Sequence, residues 1–428
     1  MTRNLKLSCF NVTEKKANKL IVVNLKSGGI VSLDSKHAEK YHNFEKGIFT
    51  ETDDDFIKEL FYGEMIVDKD FDEYKELLVE SNILRFASDV LNLTIAPTTA
   101  CNFRCPYCYE QGCQIHTMTK ETVNQLSQFV KNYYPHIANL NITWYGGEPL
   151  LEVDLIKEIT QQLKQAVKPD CHYEATIVTN GFLLTPSIAQ TLKQCGIKSA
   201  QITIDGSKAD HDSRRIPPNG KPTFEKILDN ISLVSDILNI TIRINADKTN
   251  MLNASELFSH LEKRSLKDKV KFYISPVTDF NSPISDMGSC FTPQEFSSAE
   301  MDFYKIAIQR GFTIDPLRER FGIGICGAVS LNSFVVDPLG NLYKCWDDIG
   351  ITDEIVGSIY DPPELTSNII KWLSYNPQHE GCSECSVFPI CMGGCPRLIV
   401  HDKEPLCETF KYNLSARVNL LQDLQSND

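Results

Sequence analysis

The amino-acid sequence predicts an α/β protein whose central sheet is mostly parallel. Two observations support this class: from residue 91 onward short β-rich apolar runs alternate with amphipathic stretches, and each run ends in a turn containing Gly or Asn. Strands that alternate with helices form parallel βαβ units. Such units close into a partial (β/α) barrel or stay open as a doubly wound sheet, and periodicity alone does not separate these. In both architectures the ligand site lies at the carboxyl ends of the strands.

Six segments are predicted as strands because they are short, apolar and rich in β-branched residues. They cover residues 91–98, 139–147, 173–181, 199–206, 240–248 and 269–277. The stretches between them, such as KETVNQLSQFVKNYY and VDLIKEITQQLKQAV, repeat apolar residues every three or four positions, as amphipathic helices do. Residues 91–310 are therefore predicted to form one barrel-like domain.

The two ends of the chain differ from this central part. KLIVVNLKSGGIVSLD predicts a hairpin with a Gly-Gly turn, and short helical patterns follow it, so residues 1–90 are predicted to form a small α+β module. After about residue 311 the alternation fades, and seven of the 15 cysteines lie there. Residues 311–428 are therefore predicted to form a separate Cys-rich domain.

Charge and composition exclude several function classes. The chain has 56 acidic against 43 basic residues, a net charge of -13, which argues against nucleic acid or an anionic membrane as a partner. The N-terminus lacks the apolar segment of a signal peptide, and no apolar run reaches the roughly 18 residues of a membrane span. We therefore expect a cytoplasmic protein whose cysteines bind metal or pack as small residues instead of forming disulfides.

Three cysteines stand in a C-x3-C-x2-C spacing directly after the first predicted strand: Cys101, Cys105 and Cys108. Pro106 prevents a continuous helix, so they are predicted to lie on a loop at the catalytic end. A four-iron four-sulfur (4Fe-4S) cluster normally takes four thiolates, so three would leave one iron without a protein ligand. The alternative is a zinc site completed by Cys113 or His116.

With Tyr107 before its last cysteine, this loop resembles that of the radical S-adenosylmethionine (SAM) enzymes. In that family the open iron binds the amino and carboxylate groups of SAM, and an electron from the cluster cleaves SAM to a 5′-deoxyadenosyl radical. The resemblance implies a partial (β/α)6 TIM-like barrel. It also implies a catalytic role for the cluster ligands Cys101, Cys105 and Cys108.

Three further motifs resemble the SAM contacts of that family, each at the end of a later predicted strand. GGEP resembles the motif that holds the SAM amino group, TNG follows the third strand, and TIDG with HDSRR resembles the segment that meets the SAM carboxylate. Each motif alone is usually a turn, but their register with successive strand ends favours a cofactor site. The resemblance assigns SAM binding to Tyr107, Gly146, Gly147, Glu148, Thr179, Asn180, Thr203, Asp205 and Arg215.

The C-terminal cysteines resemble the SPASM extension of radical SAM peptide-modifying enzymes, which carries two auxiliary 4Fe-4S clusters. By position, the second auxiliary cluster would be held by Cys382, Cys385, Cys391 and Cys407, and the first by Cys326, Cys345 and Cys395. The resemblance therefore implies three 4Fe-4S clusters in all. A structural zinc ribbon is the alternative.

The first auxiliary set lacks the fourth cysteine of the fullest SPASM pattern. Either Cys290 supplies it, or this cluster also has an open iron that a substrate thiolate can occupy. The remaining cysteines are expected to pack as small apolar residues: Cys9, Cys113, Cys171 and Cys195.

Within this group, CNFRCPYCYE, WYGGEPLL and the N-terminal module look most like maturases of ribosomally made peptides, of the sactipeptide and ranthipeptide type. In them the N-terminal module resembles a winged-helix domain that binds the precursor's leader as an added strand. The alternative is that residues 1–90 only cap the barrel. The resemblance implies a precursor peptide as partner and an electron donor such as flavodoxin or ferredoxin.

The predicted reaction is thioether formation, in which a Cys sulfur of the peptide bonds to a carbon that has lost a hydrogen atom. Sulfatase-maturating enzymes, which make formylglycine, resemble the chain in cluster layout but carry an Asp directly after the cysteine that matches Cys345. Here Trp346 occupies that position and Asp347 follows it. The cysteine pattern is also compatible with peptide epimerisation, with carbon-to-carbon crosslinking, and with a non-enzymatic regulator that binds iron-sulfur clusters or zinc.

Overall fold

The computed structural model of the protein describes residues 4–49, 54–278, 289–317, 323–377, 379 and 381–425. Its N-terminal part is a small α+β module. The strands are β1 (Leu5–Leu7), β2 (Asn11–Lys16), β3 (Lys19–Asn24), β4 (Ile30–Leu33) and β5 (Ile66–Asp68); the helices are α1 (Ser35–Glu45), α2 (Asp54–Tyr62) and α3 (Glu73–Arg85). The predicted hairpin is formed by β3 and β4. The structure adds β2 at the other edge of β3 and pairs β1 with β5, strands too short or too polar to be predicted from the sequence.

Six parallel strands form the central part of the chain. They are β6 (Val90–Ile95), β7 (Asn139–Trp144), β8 (His172–Thr179), β9 (Ile197–Thr203), β10 (Asn239–Ala246) and β11 (Val270–Pro276). The helices between them are α4 (Lys120–Tyr133), α5 (Val153–Ala166), α6 (Pro186–Gln194), α7 (Lys208–Arg214), α8 (Phe224–Val234) and α9 (Glu256–Lys263). Each strand pairs in parallel with its neighbour in the chain. This unbroken order is that of a partial barrel, because a doubly wound sheet reverses its strand order.

All six predicted strands are present, and each ends earlier than predicted. The reason is that the motif residues leave the sheet: the GGEP segment follows the end of β7, and Asn180 and Asp205 follow the ends of β8 and β9. These residues therefore lie in the loops at the carboxyl edge, where a ligand of a parallel sheet binds.

The Cys-rich part of the chain extends the barrel sheet. After α10 (Pro293–Gln309) come β12 (Ser333–Val336), β13 (Asn341–Tyr343) and β14 (Gly357–Ser358), followed by α11 (Ser367–Leu373), α12 (Phe388–Cys391), α13 (Pro396–Val400) and α14 (Phe410–Gln425). β12 pairs in parallel with β6, and β13 and β14 continue the sheet in antiparallel pairing, which makes nine strands. The division at residue 311 thus stays a prediction about domains, since the sheet itself crosses it.

The N-terminal module is attached to the Cys-rich part by one face of β3 and by α3. Consecutive strand residues point to opposite faces: Leu20 packs in the module's own core, and Ile21 packs with Phe410 of α14. At the end of α3, the buried guanidinium of Arg85 donates to the carbonyls of Val329, Leu373 and Tyr375 at 2.9–3.1 Å. Within the described ranges, no helix is both long and apolar enough to cross a bilayer.

Candidate functional site

A cavity of about 1040 Å³ opens at the carboxyl ends of the barrel strands. Its wall includes all three cysteines of the loop that follows β6. On the opposite side it includes Cys326 and Cys345, which belong to the predicted first auxiliary set. Two groups of cysteines that lie more than 200 residues apart in sequence therefore face one space.

The cysteine loop is held against the GGEP segment by backbone contacts. The amides of Gly147 and Glu148 donate to the carbonyls of Thr98 and Ala100 at 3.1 and 2.8 Å. A Cβ on Gly147 would lie 2.3 Å from the Ala100 oxygen, and one on Gly146 would lie 2.5 Å from the Thr98 oxygen. Only glycine permits this approach, so the two glycines set the position of the cysteine loop as well as lining the cavity.

The buried thiols of the loop suit a positively charged metal centre. Burial raises the pKa of the Cys101 thiol to about 11 and that of the Cys108 thiol to about 12, so these thiolates need a cationic partner. The assignment of a 4Fe-4S cluster to these three cysteines stays a prediction, with a zinc site as the alternative.

Glu148 joins the ends of β7 and β8 from behind the cavity wall. Its side chain is 1% exposed, and its carboxylate accepts hydrogen bonds from the Leu150 amide, the Thr179 hydroxyl and the Asn180 amide at 2.7–2.9 Å. Thr179 and Asn180 themselves line the cavity. Direct contact of Glu148 with SAM stays a prediction, while the structure shows that Glu148 positions two neighbours that reach the cavity.

A buried polar network stands beside the cysteine loop. The Tyr107 hydroxyl donates to Asp205 and accepts a hydrogen bond of 3.2 Å from Arg215. Arg214 binds Asp205 at 3.3 Å and Asp247 at 2.6 Å. Asp205 Oδ1 and Arg215 Nε are buried without a hydrogen-bond partner in the described part of the chain. Arg215 lines the cavity, whereas Asp205 is fully buried behind its wall, and SAM binding by either residue stays a prediction.

The sequence did not single out Arg214 and Asp247. Arg214 sits next to the predicted Arg215 in HDSRR, and Asp247 directly follows the fifth barrel strand, so both carried the same signal as the motifs that were recognised. Thr203, at the end of β9, lines the cavity, and its contact with SAM stays a prediction.

Members of each predicted auxiliary set lie near one another. Cys326 lies near Cys345 and near Cys395, which is the N-cap of α13. In the second set, Cys407 lies near Cys382 and Cys391, and Cys382 lies near Cys385. The assignment of two clusters to these sets stays a prediction. Cys290 adjoins Ser289, whose carbonyl accepts from the Lys248 amide at 2.8 Å after β10.

An aromatic wall connects the two cysteine groups within the cavity. The rings of Tyr109 and Tyr145 stack with centroids 6.4 Å apart, and the ring of Trp346 lies 4.7 Å from that of Tyr145. Asp347 lines the same space. Burial raises the pKa of Glu110 to about 7. The sequence did not assign a role to Tyr109, Glu110 or Tyr145, because only the fold turns the CYE segment towards β7.

Comparison with known proteins identifies the central domain. Residues 95–248 match the model of the radical SAM superfamily. The chain is 25% identical over 376 residues to a cysteine-type anaerobic sulfatase-maturating enzyme of Clostridium novyi, covering 77% of this chain and 96% of that enzyme. A GTP 3′,8-cyclase of Nostoc sp. is 31% identical over 145 residues, which is 32% of this chain and 42% of the cyclase.

Two solved structures share the fold. Native anSMEcpe with bound AdoMet superposes with a TM-score of 0.62 at 18% identity, covering 78% of this chain and 100% of that one. Streptococcus suis SuiB bound to the precursor peptide SuiA superposes with a TM-score of 0.54 at 14% identity, covering 93% of this chain and 97% of SuiB. The prediction of a radical SAM barrel with a maturase-like architecture is confirmed.

Proposed function

We propose that this chain, a radical SAM enzyme of the SPASM maturase type, forms thioether links in a ribosomally made precursor peptide. The observation that carries the proposal is the shared cavity, into which the SAM-cluster loop and two cysteines of the first auxiliary set both open. A substrate carbon on one side and a substrate sulfur on the other would lie within the same space of about 1040 Å³.

When bound, SAM and a 4Fe-4S cluster held by Cys101, Cys105 and Cys108 supply a carbon radical that removes a hydrogen atom from the peptide. In the proposal, Arg215, which lines the cavity, binds a polar group of SAM through its unpartnered Nε, and the buried Asp205 holds the Tyr107 hydroxyl beside it. Thr179, Asn180 and Thr203 complete the wall on that side. The aromatic wall of Tyr109, Tyr145 and Trp346 shields the peptide from water.

The proposed reaction balances as an oxidation of the peptide. The peptide carbon would give up one hydrogen atom to the SAM-derived radical, the peptide thiol would release its proton to solvent, and the new carbon-sulfur bond would leave one surplus electron. Cys326, Cys345 and Cys395 would hold the first auxiliary cluster and the other C-terminal cysteines the second, and such a cluster would supply an acceptor for this electron. A flavodoxin or ferredoxin would supply the electron that cleaves SAM. Each link therefore removes two hydrogens from the peptide.

The first test measures release of 5′-deoxyadenosine from SAM by the anaerobically reconstituted, reduced chain. Cys108→Ala should abolish release, because the cluster loses one of its three ligands. Cys113→Ala is the matched control: it lies five residues further on and also lines the cavity, yet it is outside the predicted set. Full SAM cleavage by the Cys108 variant would contradict the proposal.

The N-terminal module is proposed to bind the precursor's leader as an added strand. β4 is an edge of its three-stranded sheet, with β3 as its neighbour, and Ile30 on β4 is 38% exposed. An edge strand offers unpaired backbone groups to a peptide. Addition of the leader peptide should slow amide hydrogen exchange in β4 and leave β2, which contacts α14, unchanged. Equal protection of both strands, or of neither, would contradict this binding mode.

Formylglycine formation is the second candidate, and one observation favours it. The sequence has Trp346 where sulfatase-maturating enzymes carry Asp, but the structure brings the next residue, Asp347, to the cavity wall. Peptide mass distinguishes the two reactions, because a thioether link removes two hydrogens and keeps the sulfur, whereas formylglycine formation from Cys removes the sulfur. The assay uses a Cys-rich peptide encoded beside the gene and a sulfatase-derived peptide in parallel.

A further inference from the structure

Three potential metal ligands meet behind the predicted first auxiliary site. Asp348, Glu354 and His401 each present one ligand atom, and these atoms all lie within 4.8 Å of one another. Asp348 ends the short 3₁₀ helix Trp346–Asp348, and Glu354 ends the 3₁₀ helix Thr352–Glu354. His401 directly follows α13. The residues come from three separate turns, so the fold alone assembles them.

The group formed by Asp348, Glu354 and His401 contains buried polar atoms that have no hydrogen-bond partner among the described residues. Asp348 is 0% exposed, and Arg397 donates to its Oδ1 through Nε at 3.1 Å and Nη2 at 3.0 Å. Asp348 Oδ2 is buried and has no hydrogen-bond partner among the described residues. His401 Nε2 is likewise buried without a hydrogen-bond partner among the described residues, and His401 Nδ1 lies 3.6 Å from Glu354 Oε1. A buried carboxylate oxygen without a partner is costly unless a cation binds it.

We propose that Asp348, Glu354 and His401 bind a divalent first-row transition-metal ion. Two carboxylates and one imidazole are a mixed set of oxygen and nitrogen donors, which suits ions such as Mn²⁺, Fe²⁺ and Zn²⁺. The guanidinium of Arg397 occupies only one oxygen of Asp348, so the other oxygen is left for the metal.

The metal would connect two segments that carry predicted cluster ligands. Asp348 lies three residues after Cys345, and His401 follows the helix whose N-cap is Cys395. A cation between them would fix the distance between these segments. Its role would be structural, and it does not depend on which peptide reaction the enzyme performs.

The test uses Mn²⁺ as the probe, because Mn²⁺ prefers carboxylate and imidazole to thiolate and so avoids vacant cysteine sites. The cluster-loaded full-length chain is freed of loosely bound metal and titrated with Mn²⁺ while electron paramagnetic resonance records the free ion. We expect one saturable site per chain. His401→Gln should weaken Mn²⁺ binding by at least about tenfold, since even second-shell changes cost that much affinity.

His42→Gln is the matched control. His42 also faces a carboxylate, with Nδ1 2.9 Å from Glu45 Oε2, but both side chains of this pair are exposed. Its Mn²⁺ affinity should equal that of the unchanged chain, and SAM cleavage should persist in both His variants. If iron content or circular dichroism shows that the His401 variant does not fold, Glu354→Gln takes its place. Absence of a saturable site, or equal affinity in the Glu354 or His401 variant, would overturn the proposal.

Discussion

Glu148 is a single buried side chain on which two strand ends depend. Its carboxylate serves three donors from β8 and the segment after β7, so its removal would leave the Thr179 hydroxyl and two amides unsatisfied. This is a positioning role, and it explains why a glutamate follows the two glycines even where it does not line the cavity. The sequence predicts only a SAM contact for GGEP, whereas the structure shows that Glu148 of this motif also positions the ends of β7 and β8.

Glu148→Ala should lower the free energy of unfolding by at least about 1–3 kcal/mol, the cost of leaving buried donors unpaired. It should also weaken SAM binding, because Thr179 and Asn180 lose their common anchor. Chemical denaturation and SAM titration measure the two effects. Glu174→Ala, which removes an exposed glutamate from β8, should change neither. Equal stability of the two variants would contradict the positioning role.

Gly147 is the second position where one residue controls the site. Gly147→Ala places a Cβ against the backbone of the cysteine loop, 2.3 Å from the Ala100 oxygen, so the loop has to move. We expect loss of the loop's cluster, measured as a lower iron content and absence of 5′-deoxyadenosine. Gly63→Ala is the control, because its Cβ would meet its nearest neighbour at an ordinary 3.6 Å. An iron content unchanged by Gly147→Ala would show that the close approach is dispensable.

At the scale of elements, β3 connects two hydrophobic cores. Its alternating side chains pack on one face against α1 and α2 and on the other against α14, so the N-terminal module is attached to the C-terminal helix. A module that folded without support from the rest of the chain would need only the core that β3 forms with α1 and α2. This attachment fixes where a leader bound at β4 would enter relative to the barrel.

Two neighbouring substitutions on β3 separate these cores. Leu20→Ala and Ile21→Ala each remove a nearly fully buried side chain, and each should cost about 2–5 kcal/mol of stability. Only Ile21→Ala should increase amide hydrogen exchange in α14, since Ile21 packs with Phe410 and Val418 while Leu20 packs inside the module. The same exchange pattern in both variants would argue that the module does not support α14.

At the scale of the whole molecule, one sheet carries both groups of cysteines that face the cavity. β12 pairs with β6, and β13 follows it directly to Cys345, while the loop after β6 carries the SAM-cluster cysteines. Because β13 runs antiparallel to β12, Cys345 lies towards the start of β12, whereas the SAM-cluster loop follows the end of β6. The cavity extends along the inner face of the sheet between these two positions, so both groups of cysteines reach it.

Full reconstitution should give about 12 iron atoms per chain, from three four-iron clusters. Removal of iron by a chelator should increase hydrogen exchange in residues 323–425 more than in strands β7 to β10, because metal binding stabilises the fold where cysteines replace apolar packing. Iron analysis and exchange mass spectrometry measure the two quantities. A chain that holds zinc and no iron would contradict the cluster assignment.

The sequence by itself determined the six barrel strands, the β3–β4 hairpin and the cysteine spacings, because each is encoded by residues that are neighbours in the chain. It also located GGEP, TNG and TIDG at strand ends, since the end of an apolar run is a local signal. It left open whether the sheet closes as a barrel or lies doubly wound, and it treated the Cys-rich region as separate from the barrel.

Only the tertiary structure decided those points. The order of the strands, the pairing of β12 with β6, the Arg214–Asp247 ion pair and the meeting of Asp348, Glu354 and His401 all join residues that are distant in sequence. Periodicity describes which face of an element is apolar, but it does not specify which other element covers that face. The long-range packing of the folded chain makes that choice, and the cavity lies where the chosen strands end.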